Sequence, residues 1–168
     1  KSKQVEEIQR VIARTGVNLC KGQFLDVSRG SNCTLEEYFD TIRLKTASIL
    51  RSAAEIGAIV ADSKYREKMA NFGENLGMAF QIRDDIMNFF GTETMLGKPV
   101  MNDLINGSNT LLTLSRGTVM EMPKLKSAAE ELLDSFAAKA SGALLGLPNS
   151  PYHEKLEALV SATRSMKI

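Results

Sequence analysis

The hydrophobic positions of this chain recur every three or four residues, which is the spacing of amphipathic helices. One such stripe lies in residues 3–14 and another in residues 124–145, each with polar residues between its members. The first consists of Val5, Ile8, Val11 and Ile12, and the second of Leu125, Ala128, Leu132, Phe136, Ala140 and Leu144. No alternating run of β-branched residues is long enough to indicate a sheet. The pattern predicts an all-α fold.

Residues at the ends of these segments predict where the helices begin. Thr34 and Glu37 have the spacing of a capping box, in which each side chain binds the other residue's backbone amide. They predict a helix over 34–61, in which Lys45 interrupts an otherwise apolar row that includes Ile49. Small residues between Ala47 and Ala58 favour close helix packing and are compatible with a homodimer.

Two further helices are predicted downstream. Asp62-Ser63 is expected to cap a helix over 64–90, and Ser150-Pro151 has the composition of a helix start for a last helix that ends near Arg164. Between them, residues 91–110 contain glycines and a proline and are therefore expected to form a loop.

Length and charge narrow the class of protein. A chain of 168 residues with 43% hydrophobic residues can form one domain with a core, and its net charge of +1 gives no electrostatic reason to expect nucleic acid as a partner. No apolar run approaches the roughly 20 residues that span a bilayer. Cys20 and Cys33 lack the spacing of a zinc site, and reduced thiols in a cytoplasmic protein are the simplest interpretation.

Two adjacent carboxylates, Asp84 and Asp85, lie within an apolar helical segment. Unpaired charge is costly to bury, so such a pair normally needs a cation or basic partners. Taken alone, the pair is compatible with a solvated acidic edge that pairs with Arg83. A helical arrangement also places Asp84, Asp85, Gln81 and Asn88 on one side, with Phe80 and Met87 towards the core. This set of hard oxygen ligands suits magnesium.

The segment Gly77–Gly91 resembles the second aspartate-rich motif, GxxFQxxDDxxD, of the trans-isoprenyl (polyprenyl) diphosphate synthases. Further motifs of that family are matched in the same order along the chain: Gly22-Gln23 with Asp26, Lys45-Thr46, Gly97-Lys98 with Asp103, and Thr110-Leu111. The first DDxxD motif of the family has no counterpart in this chain. The resemblance is therefore to the C-terminal half of such an enzyme.

The resemblance implies part of the antiparallel helical bundle of isoprenoid synthases, with residues 1–168 as a single helical domain. Fewer residues follow Thr110-Leu111 than the family has before a helix like the one predicted over 124–145. A missing segment is accordingly expected between about 112 and 128.

The resemblance also implies the reaction, in which isopentenyl diphosphate condenses with an allylic diphosphate in the presence of Mg²⁺, commonly in a homodimer. The residues implied to hold the metal are Asp84, Asp85 and Asn88, with Asp84 as the direct ligand. Those implied in catalysis contact the diphosphate or surround the reacting carbon, and they are Lys45, Thr46, Gln81 and Lys98. Those implied to border the two substrates are Gln23, Asp26 and Phe80.

Two positions depart from the family pattern. Asn88 replaces the third acid of the motif, and Ser108 replaces a lysine often found before the Thr-Leu pair. These changes keep open a non-catalytic regulatory or interaction subunit of the same family as the alternative to a short- or medium-chain prenyltransferase. A terpene cyclase is disfavoured because its typical NSE-type metal motif is not visible.

Overall fold

The computed structural model describes residues 2–28, 33–91 and 122–165, and every regular element in these ranges is helical. In chain order the elements are α1 (Ser2–Ser28), α2 (Leu35–Ile42), a π-helical turn (Arg43–Ala47), α3 (Ser48–Val60), α4 (Arg66–Phe90), α5 (Met122–Leu144) and α6 (Pro151–Ser165). The predicted all-α fold is confirmed.

Helix α4 forms the centre of this arrangement. It packs against α3 and against α5, while α1 packs on α3 and α6 packs on α5. A helix that is covered on more than one side buries residues on several faces rather than along a single stripe. The buried hydrophobic residues of α4 are Ala70, Phe72, Leu76, Met78, Ala79, Ile82, Ile86 and Phe89. Two polar residues near the end of this helix, Asp85 and Asn88, are therefore buried as well.

Only part of each predicted stripe faces the core. In α1, Val11 is buried, whereas Val5 and Ile12 are exposed. In α5, Ala128 is exposed, and the prediction was wrong there because the middle of the buried stripe lies one residue later than predicted, at Ala129, Leu133 and Ala137. The buried residues of α5 are Leu125, Ala129, Leu133, Ala137, Ala140 and Leu144.

Two of the predicted helix starts are confirmed. The Thr34 hydroxyl accepts from the Glu37 amide at 3.2 Å, and the Glu37 carboxylate accepts from the Thr34 amide at 2.9 Å. The Ser150 hydroxyl accepts from the His153 amide at 3.2 Å, and Pro151 is the first residue of α6. Both caps satisfy amides that the first helical turn leaves without a partner.

The predicted cap at Asp62-Ser63 was wrong. Asp62 has a φ of 48° in a tight turn, and the Ser63 hydroxyl accepts from the Tyr65 amide at 3.1 Å within that turn. Helix α4 consequently begins only at Arg66. Among the described residues, none of the helices is both long and apolar enough to cross a membrane.

A buried glutamate joins α1, α3 and the start of α4. Glu55 is 4% exposed, and its Oε1 accepts from Nε and Nη2 of Arg66 at 3.1 and 2.8 Å. Its Oε2 accepts from Arg14, and Arg66 also donates to Glu7 at 2.8 Å. The hydrogen bond to Glu55 raises the pKa of Arg66, so this guanidinium stays charged.

We expect Glu55→Ala to lower the free energy of unfolding by about 2 kcal/mol, because charged hydrogen bonds to both arginines are lost. Denaturant unfolding followed by circular dichroism measures this. The matched control is Glu67→Ala, since the Glu67 side chain is 77% exposed and lies 3.6 Å from Arg51. Its expected effect is within about 0.5 kcal/mol. Equal losses in the two variants would contradict a special role for Glu55.

Candidate functional site

A π-helical turn, Arg43–Ala47, interrupts the helix that was predicted to be continuous. The turn adds a residue to the helical repeat, so the predicted apolar row ends there: Ile42 is buried and Ile49 is exposed. Single π-helical turns often occur at functional sites. This one carries Lys45 and Thr46, the pair that the motifs singled out.

Glycines on two neighbouring helices let the backbone approach this turn closely. A Cβ atom on Gly22 of α1 would lie 2.5 Å from the Lys45 backbone nitrogen. A Cβ atom on Gly77 of α4 would lie 2.5 Å from the Ala47 Cα. Neither distance is compatible with a side chain, so glycine is required at both positions for the turn to pack as it does.

Lys45 and Asp26 form an ion pair between the turn and α1, with the Lys45 Nζ donating to Asp26 Oδ2 at 2.6 Å. The two side chains are 41% and 25% exposed. A pair in such contact with water contributes about 0–1 kcal/mol to stability, so an incoming anion can compete for the lysine. Gln23, one turn earlier on α1, is exposed.

A chain of hydrogen bonds connects the turn to Asp85. The Thr46 hydroxyl donates to Gln81 Oε1 at 2.8 Å, and Gln81 Nε2 donates to Asp85 Oδ1 at 3.0 Å. The Tyr38 hydroxyl donates to Asp85 Oδ2 at 2.7 Å. Asp85 is 3% exposed. Burial, followed by the nearby charge of Asp85, raises the pKa of Tyr38 well above its ordinary value, so the hydroxyl keeps its proton.

The two adjacent aspartates have different surroundings. Asp85 is buried, whereas Asp84 is half-buried and accepts from Asn88 Nδ2 at 3.2 Å. The prediction that Gln81, Asp84, Asp85 and Asn88 share one side of the helix agrees with these bonds. A solvated acidic edge was the wrong interpretation for Asp85.

The donor set around Asp84 fits magnesium in one particular way. Within residues 2–28, 33–91 and 122–165, no group of three His, Cys, Asp or Glu side chains could enclose a metal ion. Magnesium in phosphate-transfer sites is commonly held by one or two carboxylates plus phosphate oxygens. Asp84, with Asn88 beside it, can supply such a partial set, and the assignment of Asp84, Asp85 and Asn88 to the metal stays a prediction.

Phe80 does not face the core as predicted. Its ring is 41% exposed, and the Arg83 guanidinium lies 4.5 Å from the ring centroid. The Nε of Arg83 is buried and has no hydrogen-bond partner among the described residues. Arg83 therefore covers one face of the Phe80 ring, a contact that the sequence analysis did not predict.

Several predicted features lie outside the described residues. They include Lys98 and Ser108, the Thr110-Leu111 pair and the part of the expected missing segment that precedes Met122. Tyr38, by contrast, is described and was missed as a polar contributor. The available signal was the position of Tyr38 in the same apolar row as Ile42 and Lys45, because a buried tyrosine hydroxyl usually has a hydrogen-bond partner.

Comparison with known proteins identifies the family. The family model described as Polyprenyl synthetase matches residues 1–141. The chain belongs to the polyprenyl synthetase family. The resemblance that the motifs indicated is thereby confirmed.

Members of the polyprenyl synthetase family resemble the chain in sequence and in structure. The short chain isoprenyl diphosphate synthase of Methanocaldococcus jannaschii is 32% identical over 134 residues, which cover 78% of this chain and 41% of the relative. The geranylgeranyl pyrophosphate synthetase of Pyrococcus horikoshii Ot3 has a TM-score of 0.90 at 25% identity, covering 99% of this chain and 61% of that structure. The chain thus spans less than half of the curated relative and about three fifths of the solved one.

A third member was solved with ligands. The polyprenyl synthase of Caulobacter crescentus CB15, complexed with calcium and isoprenyl diphosphate, has a TM-score of 0.84 at 25% identity. The match covers 96% of this chain and 60% of that structure.

Proposed function

We propose that the whole protein is a trans-prenyltransferase that condenses isopentenyl diphosphate with an allylic diphosphate. The product would be a short- or medium-chain polyprenyl diphosphate. The observation that best supports this is the convergence of Lys45-Thr46, on the π-helical turn, with Gln81 and Asp85 on α4 through the Thr46–Gln81–Asp85 hydrogen bonds. The relatives named as isoprenyl diphosphate synthases support the same activity.

In the proposed reaction, the allylic C–O bond breaks and diphosphate leaves with the electron pair. The double bond of isopentenyl diphosphate then attacks the allylic cation, and loss of a proton restores a double bond. Positive charge aimed at the leaving group lowers the barrier of the first step. Lys45 supplies such charge, with Asp26 holding its ammonium in place, and Lys98 is proposed to act likewise.

Oxygen atoms near the cation are supplied by Thr46 and Gln81, whose hydrogen bond fixes both side chains. Phe80 is proposed to pack beside the isopentenyl chain, since part of its ring is exposed. Gln23 and Asp26 are proposed to border the allylic diphosphate. A dry surrounding is needed because water would otherwise trap the cation.

Magnesium, when bound, would supply charge that stabilises the departing diphosphate. Asp84 would hold it, with Asn88 beside it and Asp85 orienting this part of the helix. The polyprenyl synthase of Caulobacter crescentus CB15 was solved in complex with calcium and isoprenyl diphosphate, which is compatible with a divalent cation in the proposed reaction.

We also propose a homodimer, on the basis of the resemblance. Among the small residues between Ala47 and Ala58, Ala47, Ser48, Ser52 and Ala58 are buried within the chain and cannot form its interface, whereas Ala53 and Gly57 of α3 are exposed.

The decisive experiment incubates the complete polypeptide with isopentenyl diphosphate and allylic partners of increasing length, with and without magnesium, and reads the products by mass spectrometry. A magnesium-dependent ladder in five-carbon steps is expected. If a folded protein gives no product from any partner, the prenyltransferase proposal fails, and the non-catalytic subunit becomes the better hypothesis.

A further inference from the structure

Thr46 makes an unusual hydrogen bond for a threonine within a helical segment. Such a hydroxyl commonly donates to the backbone carbonyl one turn earlier, as Thr41 does to Glu37 at 2.8 Å and Thr15 does to Val11 at 2.8 Å. The Thr46 hydroxyl instead donates to the side chain of Gln81 on another helix. Its proton is therefore directed by a side-chain network rather than by its own backbone.

The buried carboxylate of Asp85 determines which group donates in each hydrogen bond of this network. An ionised carboxylate can only accept hydrogen bonds, so the Tyr38 hydroxyl and the Gln81 NH₂ group are both the donors in their hydrogen bonds to Asp85. The amide of Gln81 consequently turns its NH₂ group to Asp85 and its carbonyl to Thr46. A carbonyl oxygen can only accept a hydrogen bond, so the Thr46 hydroxyl must be the donor in its hydrogen bond to Gln81.

The orientation of the Thr46 hydroxyl determines whether its hydrogen or its lone pairs face a bound substrate. With its proton directed at Gln81, the remaining electron pairs of the Thr46 oxygen are available to a group on the other side. Lone pairs attract a developing positive charge, whereas an O–H group pointing at it would oppose it. The reaction proposed above develops such a charge on the allylic carbon.

We propose that Tyr38 is a positioning residue for this reaction, acting through Asp85 and Gln81 to keep Thr46 an electron-pair donor towards the reacting carbon. The inference rests on the proposed function. Tyr38 itself is buried at the far end of the network, and its hydroxyl contacts Asp85 rather than the turn that carries Thr46.

Removal of the Tyr38 hydroxyl would loosen the network at its buried end. Asp85 would lose the Tyr38 donor, and its hydrogen bond with Gln81 would be held less firmly. The Gln81 amide could then turn over, which exchanges its donor and acceptor groups and reverses the proton of Thr46. The ring of Tyr38 packs in the main core cluster, and phenylalanine keeps that ring.

The test is a double-mutant cycle in the complete protein. We expect Tyr38→Phe to lower kcat by about 10- to 100-fold, with the KM for isopentenyl diphosphate changed by less than about twofold. In a Thr46→Val background the same substitution should change kcat by less than about twofold, because the network no longer ends in a hydroxyl. An equal loss in both backgrounds would overturn the proposal, as would full activity of Tyr38→Phe. Tyr152→Phe is the matched control, because Tyr152 is exposed at the start of α6.

A second readout is independent of turnover. The side-chain amide resonances of Gln81, assigned by their loss in Gln81→Glu, should shift in Tyr38→Phe by nuclear magnetic resonance. Those of Gln4, which donates to the Ile59 carbonyl at 3.1 Å, should not. Unmoved Gln81 resonances would refute the network. Absence of product from the wild-type protein, with the Gln81 shift present, would refute only the proposed function.

Discussion

Asp84→Ala in the complete protein is expected to lower kcat by about 10²- to 10³-fold, the range found when one preorganised group that stabilises transition-state charge is removed. Asp84 is the half-buried carboxylate of the adjacent pair, and it accepts a hydrogen bond from Asn88. Its loss should weaken the hold on magnesium diphosphate while sparing the core, since Asp85 keeps the buried bonds to Tyr38 and Gln81. Steady-state kinetics at several magnesium concentrations measure the effect.

The matched control for this prediction is Asp134→Ala. Asp134 is an exposed carboxylate on α5 that pairs with Arg164 at 2.8 Å. We expect the kcat and the magnesium dependence of Asp134→Ala to equal those of the wild-type protein. The melting temperatures of both variants should lie within a few degrees of the wild-type value. Near-normal turnover of Asp84→Ala at low magnesium would show that this carboxylate does not hold the metal.

Much of the fold could be predicted because local chemistry specifies it. The capping box at Thr34 and the start of α6 at Ser150 follow from side chains that bind nearby amides, so sequence spacing alone locates them. The π-helical turn could not be predicted, because the regular helical repeat contains no signal for one extra residue. The glycines that fit it, Gly22 and Gly77, lie on other helices, and their relation to the turn depends on packing.

The sequence indicated which residues belong to the candidate site better than it indicated how they are arranged. The family resemblance implied that Lys45 and Thr46 belong with Gln81 and Asp85, and the hydrogen bonds from Thr46 to Gln81 and on to Asp85 bring three of these four residues together. A helical repeat shows which residues share a side, but it does not show which side another helix covers. For this reason the burial of Asp85, the exposure of Phe80 and the contact of Tyr38 appear only in the folded chain.

Gly22→Ala should displace the candidate site residues Lys45 and Asp26 from each other, although Gly22 itself has no side chain in the site. The added methyl group would lie 2.5 Å from the Lys45 backbone nitrogen and 2.8 Å from its Cα, and neither backbone atom can move aside as the tip of a flexible side chain could. Helix α1 must therefore move away from the π-helical turn, which carries Asp26 away from Lys45. We expect a loss of about 1–3 kcal/mol in the free energy of unfolding and a fall of about 10²-fold in turnover.

Gly16→Ala provides the control on the same helix. A Cβ atom at Gly16 meets nothing within 4 Å, so this substitution carries only the intrinsic preference of alanine for helix. It should raise the free energy of unfolding by about 0.5–1 kcal/mol and leave turnover unchanged. The two variants make the same chemical change at two places on α1, and only the distance to the turn differs. Opposite signs of their stability changes would therefore assign the effect of Gly22 to its contact with Lys45, whereas stabilisation by both would mean that α1 does not press on the turn.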